Sequence, residues 1–342
     1  MVDYLNMSRR RPGLDTARTA TPYIVTMGCE FFSPGSFAYD SSNSRDPGNT
    51  GYPQFLRPGL MLGMITSTKK WAPSVIGTVA AAYDGSTTVN VSAAVATEIV
   101  RRIGATGTFK LTGPATAAGT VRTLTATYSA VNTSTGDITV TALTVNEVQT
   151  VSVNTIMSGG KIGFTAIDKD GVPQTVAVAY NTSWTQTVAD IQTALNGALG
   201  ASAVACAVTA TKNMTITFSG TNYAGLPQTE VTVDISAATG PTTATVTTTT
   251  AGVDGRMIAG AYVQPTDGSE TIKTIIPNGY EVWVVNVDGV NTDVDFQNLL
   301  IGGLIKSDTL INWPSDASLK AYVKAALKAF GPNFAFTDDA GW

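Results

Sequence analysis

The 342-residue chain contains no histidine. That removes the side chain that titrates near neutrality, most often serves as general base and is the commonest metal ligand. Carboxylate or lysine catalysis thereby loses its usual partner. Cysteine is nearly as scarce. Cys29 and Cys206 are the only two, too few for a disulfide framework, and they read as small buried thiols. Charged residues make up only 13% of the chain and the net charge is −4. A general nucleic-acid binder, which needs basic surface to neutralise phosphates, is not expected. No run approaches the ~20 apolar residues of a membrane span. The opening "MVDYLNMSRRRPGLD" has charge but no apolar signal core. Walker loop, dinucleotide fingerprint, Gly-x-Ser-x-Gly elbow and Cys/His cluster are all missing. The expectation is a structural or binding protein without cofactor or metal, not an enzyme.

What is present is β-forming. Hydrophobic residues reach 43%, and much of the remainder is Thr, Ser, Gly and Asn. Threonine and valine are stiff at χ1 and favour a pleated sheet. The expected fold is mainly β: a β-rich domain, barrel-like or sandwich-like with short helices, plus an inserted β-sandwich and a C-terminal helix.

Residues 1–54 show neither helical nor strand periodicity. They hold Arg9, Arg10 and Arg11, then Phe31, Phe32, Phe37, Tyr39 and Tyr52 among turn residues. This segment reads as an extended arm that orders against a neighbouring subunit or wraps its own domain. Residues 55–143 read as a β unit with one helix, "SAAVATEIVRRIG". Ser92 is its cap, Val95, Ile99 and Ile103 its apolar face, and Glu98 and Arg102 an i,i+4 pair. A hairpin follows, with a loop at 132–136. Residues 144–253 are poorer in charge. Strands are expected at 148–153, 161–167, 174–179, 204–211, 214–219, 229–235 and 243–250, with one helix in "TVADIQTALNGAL" capped by Thr187 and Asp190. This block interrupts two segments of similar texture and reads as an insertion that projects outward. Residues 254–342 complete the first domain. There "YEVWVVNVDG" reads as a central strand, and "SDASLKAYVKAALKAFGP" as a helix with Leu319, Val323, Leu327 and Phe330 on its apolar face.

Three charged patterns merit weighing. "DKDG", with Asp168 and Asp170, has the opening spacing of a calcium loop but Ala179 where the twelfth-position glutamate belongs. A hairpin turn is the better reading. Asp293 and Asp295 alternate on one face of a strand, where they are either an acid–base pair or charges that guard a sheet edge. Lys320, Lys324 and Lys328 form a helical stripe that reads as a solvated face.

"RPGLMLGMITSTKKWAP" reads as a strand, a charged turn and a second strand. Extended to "LRPGLMLGMITSTKKWAP", it resembles the opening of tailed-phage head-decoration (capsid cement) proteins. "AVATEIVRRIGATGTFKLTGPATAAGTVRTLTATYSAVN" resembles a segment of longer members. "NEVQTVSV", "AYNTSWTQTVADIQTALNGAL" and "MTITFSGTNYAG" together are similar to a β-sandwich module of phage structural proteins. These stretches cover about half the chain; the small decoration proteins lack the insertion and the C-terminal segment. The resemblance implies a protomer on the outer capsid surface of a virion assembled in the host cytoplasm. It would bind the major capsid protein lattice as a homo-oligomer, expected as a trimer. In this reading Leu60, Leu62 and Ile65 anchor a strand. Arg57, Lys69, Lys70 and Trp71, with Arg9, Arg10, Arg11, Phe31, Phe32, Phe37 and Tyr39 of the arm, face the lattice or a sister subunit. Trp71 is either the main contact or a cap on the core. The inserted sandwich is a possible host-glycan contact. The alternatives are another virion part, such as a tail-tube or fibre subunit, or a glycan-binding adhesive surface protein.

Overall fold

A computed structural model describes residues 25–32, 37–49, 51–277, 282–285, 289–296 and 299–339. The chain is mainly β, with 40% strand and 15% helix. It divides into two compact units: a framework of residues 1–141 and 256–342, and an inserted unit of residues 142–255.

The framework is assembled from strands far apart in sequence. One sheet runs in the order Thr274–Ile275, Met61–Met64, Trp71–Pro73, Phe37–Tyr39, Val294–Phe296. Its central hairpin is the expected strand–turn–strand, with Leu62 opposite Pro73 and Met64 opposite Trp71. Leu60, Leu62 and Ile65 are buried. Gly63 is required there, because a Cβ would lie 2.0 Å from the carbonyl oxygen of Ser269. A six-stranded sheet carries the expected hairpin of Arg122–Val131 and Asp137–Val140. A third sheet joins Val25–Phe32, Leu299–Ile305 and Asn333–Phe336.

Among the described residues, two α-helices belong to the framework and one to the inserted unit. α1 (Ala93–Arg102) starts at Ser92, whose hydroxyl accepts from Val95 N at 3.3 Å. The expected Glu98–Arg102 pair does not form. Glu98 pairs with Arg101 instead, and Arg102 turns inward. α2 (Trp184–Leu199) begins a turn before the expected cap, with Ser183 as its N-cap. Thr187 lies inside the helix and donates back to the Ser183 carbonyl at 2.8 Å. α3 (Ala317–Phe330) is capped by Asp316 and buries Leu319, Val323 and Leu327 against Leu300, Ile305, Phe334 and Phe336.

One further correction concerns the N-terminal segment. Residues from Val25 onward are not an arm outside the fold, because Val25–Phe32 and Phe37–Tyr39 are strands of two framework sheets. Of the strand expected in "YEVWVVNVDG", the described residues pair Val282–Trp283 with Phe55–Leu56; Val284 N donates to Gln54 O and Val284 O accepts from Thr292 N at 3.1 Å each, and Val285 bridges Asn291. A long apolar run cannot reveal which strand ends up beside it.

The inserted unit has two sheets. One runs Val204–Ala210, Asn213–Phe218, Val148–Val153, Ala244–Thr250; the other runs Pro173–Ala179, Gly159–Ile167, Thr232–Asp234. Both feed one core with α2, in which Val151, Ile162, Phe164, Ile191, Leu195, Ile216 and Phe218 are nearly inaccessible. Val145 and Val253 exchange backbone hydrogen bonds at 2.9 and 2.8 Å where the chain enters and leaves.

Candidate interaction surface

The residues expected to face a partner lie mostly within the framework. Tyr39 and Trp71 are each 3% exposed. Tyr39 stacks on Phe296 at 4.3 Å between ring centroids, and Phe37 stacks on the same ring at 5.4 Å. Trp71 meets Phe37 and Phe330 edge-on at 6.1 and 6.0 Å. These offset and edge geometries are the favourable ones for aromatic pairs. Of the two readings of Trp71, the core position is the one observed, and its indole N–H is buried without an acceptor among the described residues.

The cations follow the same pattern. Arg57 grips buried Asp46 with both ends of its guanidinium, Nε to Oδ2 at 2.5 Å and Nη2 to Oδ1 at 3.0 Å. Lys70 pairs with Asp293, which also accepts from the Ser41 amide and hydroxyl at 2.9 Å each. Burial raises the carboxyl of Asp293, but Lys70 and the Ser41 donors outweigh it and hold it below the ordinary aspartate value. Lys69 remains exposed, at a left-handed turn position with φ of 59°. Phe31 is also exposed, on the strand Val25–Phe32. Phe32 shares that strand; its side chain, like Arg9, Arg10 and Arg11, lies outside the described residues. Of the expected surface, Lys69 and Phe31 are the described residues whose side chains are exposed.

Sequence reading missed a polar loop beneath this region. Asp40, Ser41, Ser44, Arg45, Asp46 and Asn49 are all buried. Asp40 accepts from the Ser42 and Asn43 amides at 3.0 and 2.9 Å. Arg45 donates to the carbonyls of Ser41 and Ser44 and to Asn291 Oδ1, at 2.8, 2.6 and 2.6 Å. Burial, reinforced by the neighbouring Arg101 charge, lowers its pKa. "DSSNSRDPGN" signals turns, but nothing local in it says that the turn is enclosed.

The other candidates have structural roles too. Val294–Phe296 is an edge strand, with Asp293 and Asp295 exposed beside and on it. Asp168 accepts from Asp170 N and Val172 N at 2.9 Å each, closing the expected hairpin turn. The lysine stripe on α3 is not simply solvated: Lys324 pairs with Asp338 and Asp339, and both Lys324 and Lys328 lie over the Phe336 ring. The thiols differ from expectation, for Cys29 is exposed. Cys206 is half-buried, and burial pushes its thiol up to about 12, leaving it unreactive. Among the described residues no group of three acidic or cysteine side chains is placed to hold a metal ion. No helix there is long and apolar enough to cross a membrane.

The chain matches no protein-family model, and no curated protein matches it.

Proposed function

We propose that this chain is a virion structural protein that binds the outer surface of a phage capsid and braces adjacent major-capsid subunits, working as a homo-oligomer. The observation that carries the reading is what the framework does with its reactive side chains. Asp46, Asp293, Arg45, Arg57 and Arg102 are fixed in internal pairs and backbone contacts, so they suit a rigid body that adheres better than a site that turns over. The sequence resemblance to capsid cement proteins supplies the partner. Each copy buries roughly 1,600 Å² or more against several subunits. Those subunits are already tethered, so bridging them gains avidity. Preference for the mature shell then stabilises it by mass action.

The contact surface is narrower than the sequence alone implies. It comprises the turn at Lys69, the strand edge at Phe31 and the basic segment Arg9–Arg11. Purified protein added to bare shells should co-sediment to a saturating ratio and raise their heat resistance. Lys69→Glu should weaken that binding several-fold. Removing residues 1–24, which spares every described strand, should weaken it further. Deleting 146–251 across the Val145–Val253 bridge should leave docking intact. Absence of co-sedimentation by the intact chain would refute the proposal.

A further inference from the structure

α2 treats the two sheet edges that flank it differently. On one side is the edge strand Val204–Ala210. Asn196 accepts from Val204 N at 2.8 Å and donates to Val204 O at 3.0 Å, and Gln192 accepts from Cys206 N at 2.8 Å. The match is metrical: four helical residues rise about 6 Å, close to the roughly 6.8 Å between alternate strand residues. Side chains one helical turn apart thus cap alternate outward groups of the strand. That is a built cover for a sheet edge.

On the other side lies the edge strand Pro173–Ala179. Tyr180 N donates to Gly160 O and Asp168 N to Val172 O, at 2.9 Å each. With the pairing Val178–Ile162 and Val176–Phe164, these bonds fix which residues face the neighbouring strand. Even-numbered residues bond inward; Thr175, Ala177 and Ala179 aim N–H and C=O outward. The strand ends its sheet, and no hydrogen bond to those outward groups forms among the described residues. Here α2 presents Asp190, Thr193 and Ala194, too short to reach across. An open groove of about 460 Å³ remains, lined by Ala177–Asn181 and those three residues. At one end Asn181 Nδ2 donates to Asp190 Oδ2 at 2.8 Å, which leaves Asp190 Oδ1 without a protein partner among the described residues.

We propose that this groove is a strand-addition site. It takes an extended segment of a partner polypeptide, which hydrogen-bonds the outward groups of Ala177 and Ala179 and sets a lysine or arginine against Asp190. A free strand edge beside a helix supplies affinity through the main chain and selectivity through the flanking pocket. The small side chains of Ala177, Ala179 and Ala194 leave room for a backbone to approach. Charge selects the occupant: Asp190 is the charged residue of the lining, no lysine or arginine shares it, and a second copy of the strand, PQTVAVA, offers no cation. This site is independent of the capsid assignment.

The test is selection from a bead-displayed library of random seven-residue peptides with the full chain. Enriched peptides should be β-forming, free of proline and carry lysine or arginine at one fixed position. Ala177→Pro removes one outward donor and leaves the inward ladder untouched; it should weaken the selected peptides at least tenfold. Asp190→Asn should abolish the preference for lysine over glutamine at the fixed position. Amide exchange at Ala177 and Ala179 of the unmodified chain should slow when a selected peptide binds, which keeps the test valid if the proline variant misfolds. No enrichment above bare beads, or unchanged exchange at both amides in the presence of a selected peptide, would overturn the proposal.

Discussion

The framework and the inserted unit solve the same problem with different chemistry. In the framework, charged groups hold together segments remote in sequence. Lys70 pairs with Asp293, Arg102 meets Asp267, and Lys110 meets Glu270. The inserted unit relies mainly on amide side chains that bond backbone, beside one buried carboxylate, Glu147, which accepts from Gln149 Nε2 at 2.7 Å and Gln228 N at 2.8 Å. Gln149, fully buried, accepts from Val231 N at 2.8 Å and donates to Thr229 O at 3.2 Å. Asn154 accepts from the Thr242 and Thr243 amides at 3.0 and 3.2 Å. Amide side chains both donate and accept, so one residue can satisfy a strand's two outward groups without burying charge. That difference makes the two units separable by pH and by mutation.

The largest separation should come from the cores. Phe164 is 1% exposed at the centre of the inserted unit. Phe164→Ala should cost that unit about 3–5 kcal/mol and lower one of two calorimetric transitions, leaving the other in place. A common shift of both would show that the units melt as one. Next in size is Asp267→Ala. It strands Arg102, whose side chain is 2% exposed and donates to Asp267, Ser269 Oγ and Pro73 O. Removing one partner of a buried pair costs about 3 kcal/mol or more, here confined to the framework's transition.

The expected elements were legible where the signal is local. Ser92 and the Val95–Ile99 spacing identify α1, and the alternation in 148–153 and 213–218 identifies two strands of the inserted core. The candidate surface was less legible. Whether Trp71 faces out depends on Phe37 and on Phe330, over 250 residues away in the chain. Whether Arg57 is free depends on a buried Asp46 within a loop that reads as exposed. Hydrophobic period tells which face of an element is apolar, not what lies opposite. The groove of the inserted unit left no motif at all, because its binding groups are backbone and its side chains are small.

Acid should separate the units next. Burial acts against the charged form of Asp267, but Arg102 and the Ser269 donors prevail and keep its pKa below the ordinary value. The Lys324 hydrogen bond does the same for Asp339 against its lesser burial. A carboxyl depressed on folding contributes stability that is complete above its unfolded pKa, about 3.9. That contribution is lost as pH falls through the lower folded value. The framework's melting temperature should therefore drop as pH is taken below about 4, and drop less in Asp267→Ala. The amide bonds of Gln149, Asn154 and Asn196 do not titrate, and the inserted unit's depressed carboxyls, Asp168 and Asp234, are held down chiefly by backbone amides rather than by a buried cation, so its transition should move less. Melting curves at pH 7 and pH 3 that shift equally for both units would dissolve the distinction.

The smallest effect on stability is the most informative about edges. Asn196→Ala removes the cap on Val204 and should cost about 1 kcal/mol. Its larger consequence is exposure of Val204–Ala210, a strand without charge or proline, whose outward groups then resemble those of Pro173–Ala179. Unprotected edges invite pairing with another chain. Asn196→Ala should therefore form assemblies larger than those of the unmodified chain at the same concentration, read by sedimentation velocity. Adding Gln192→Ala should strengthen that association by freeing Cys206 N as well. If neither variant assembles beyond the unmodified chain, the cap contributes stability alone, and the contrast between the two edges that flank α2 loses its meaning as protection.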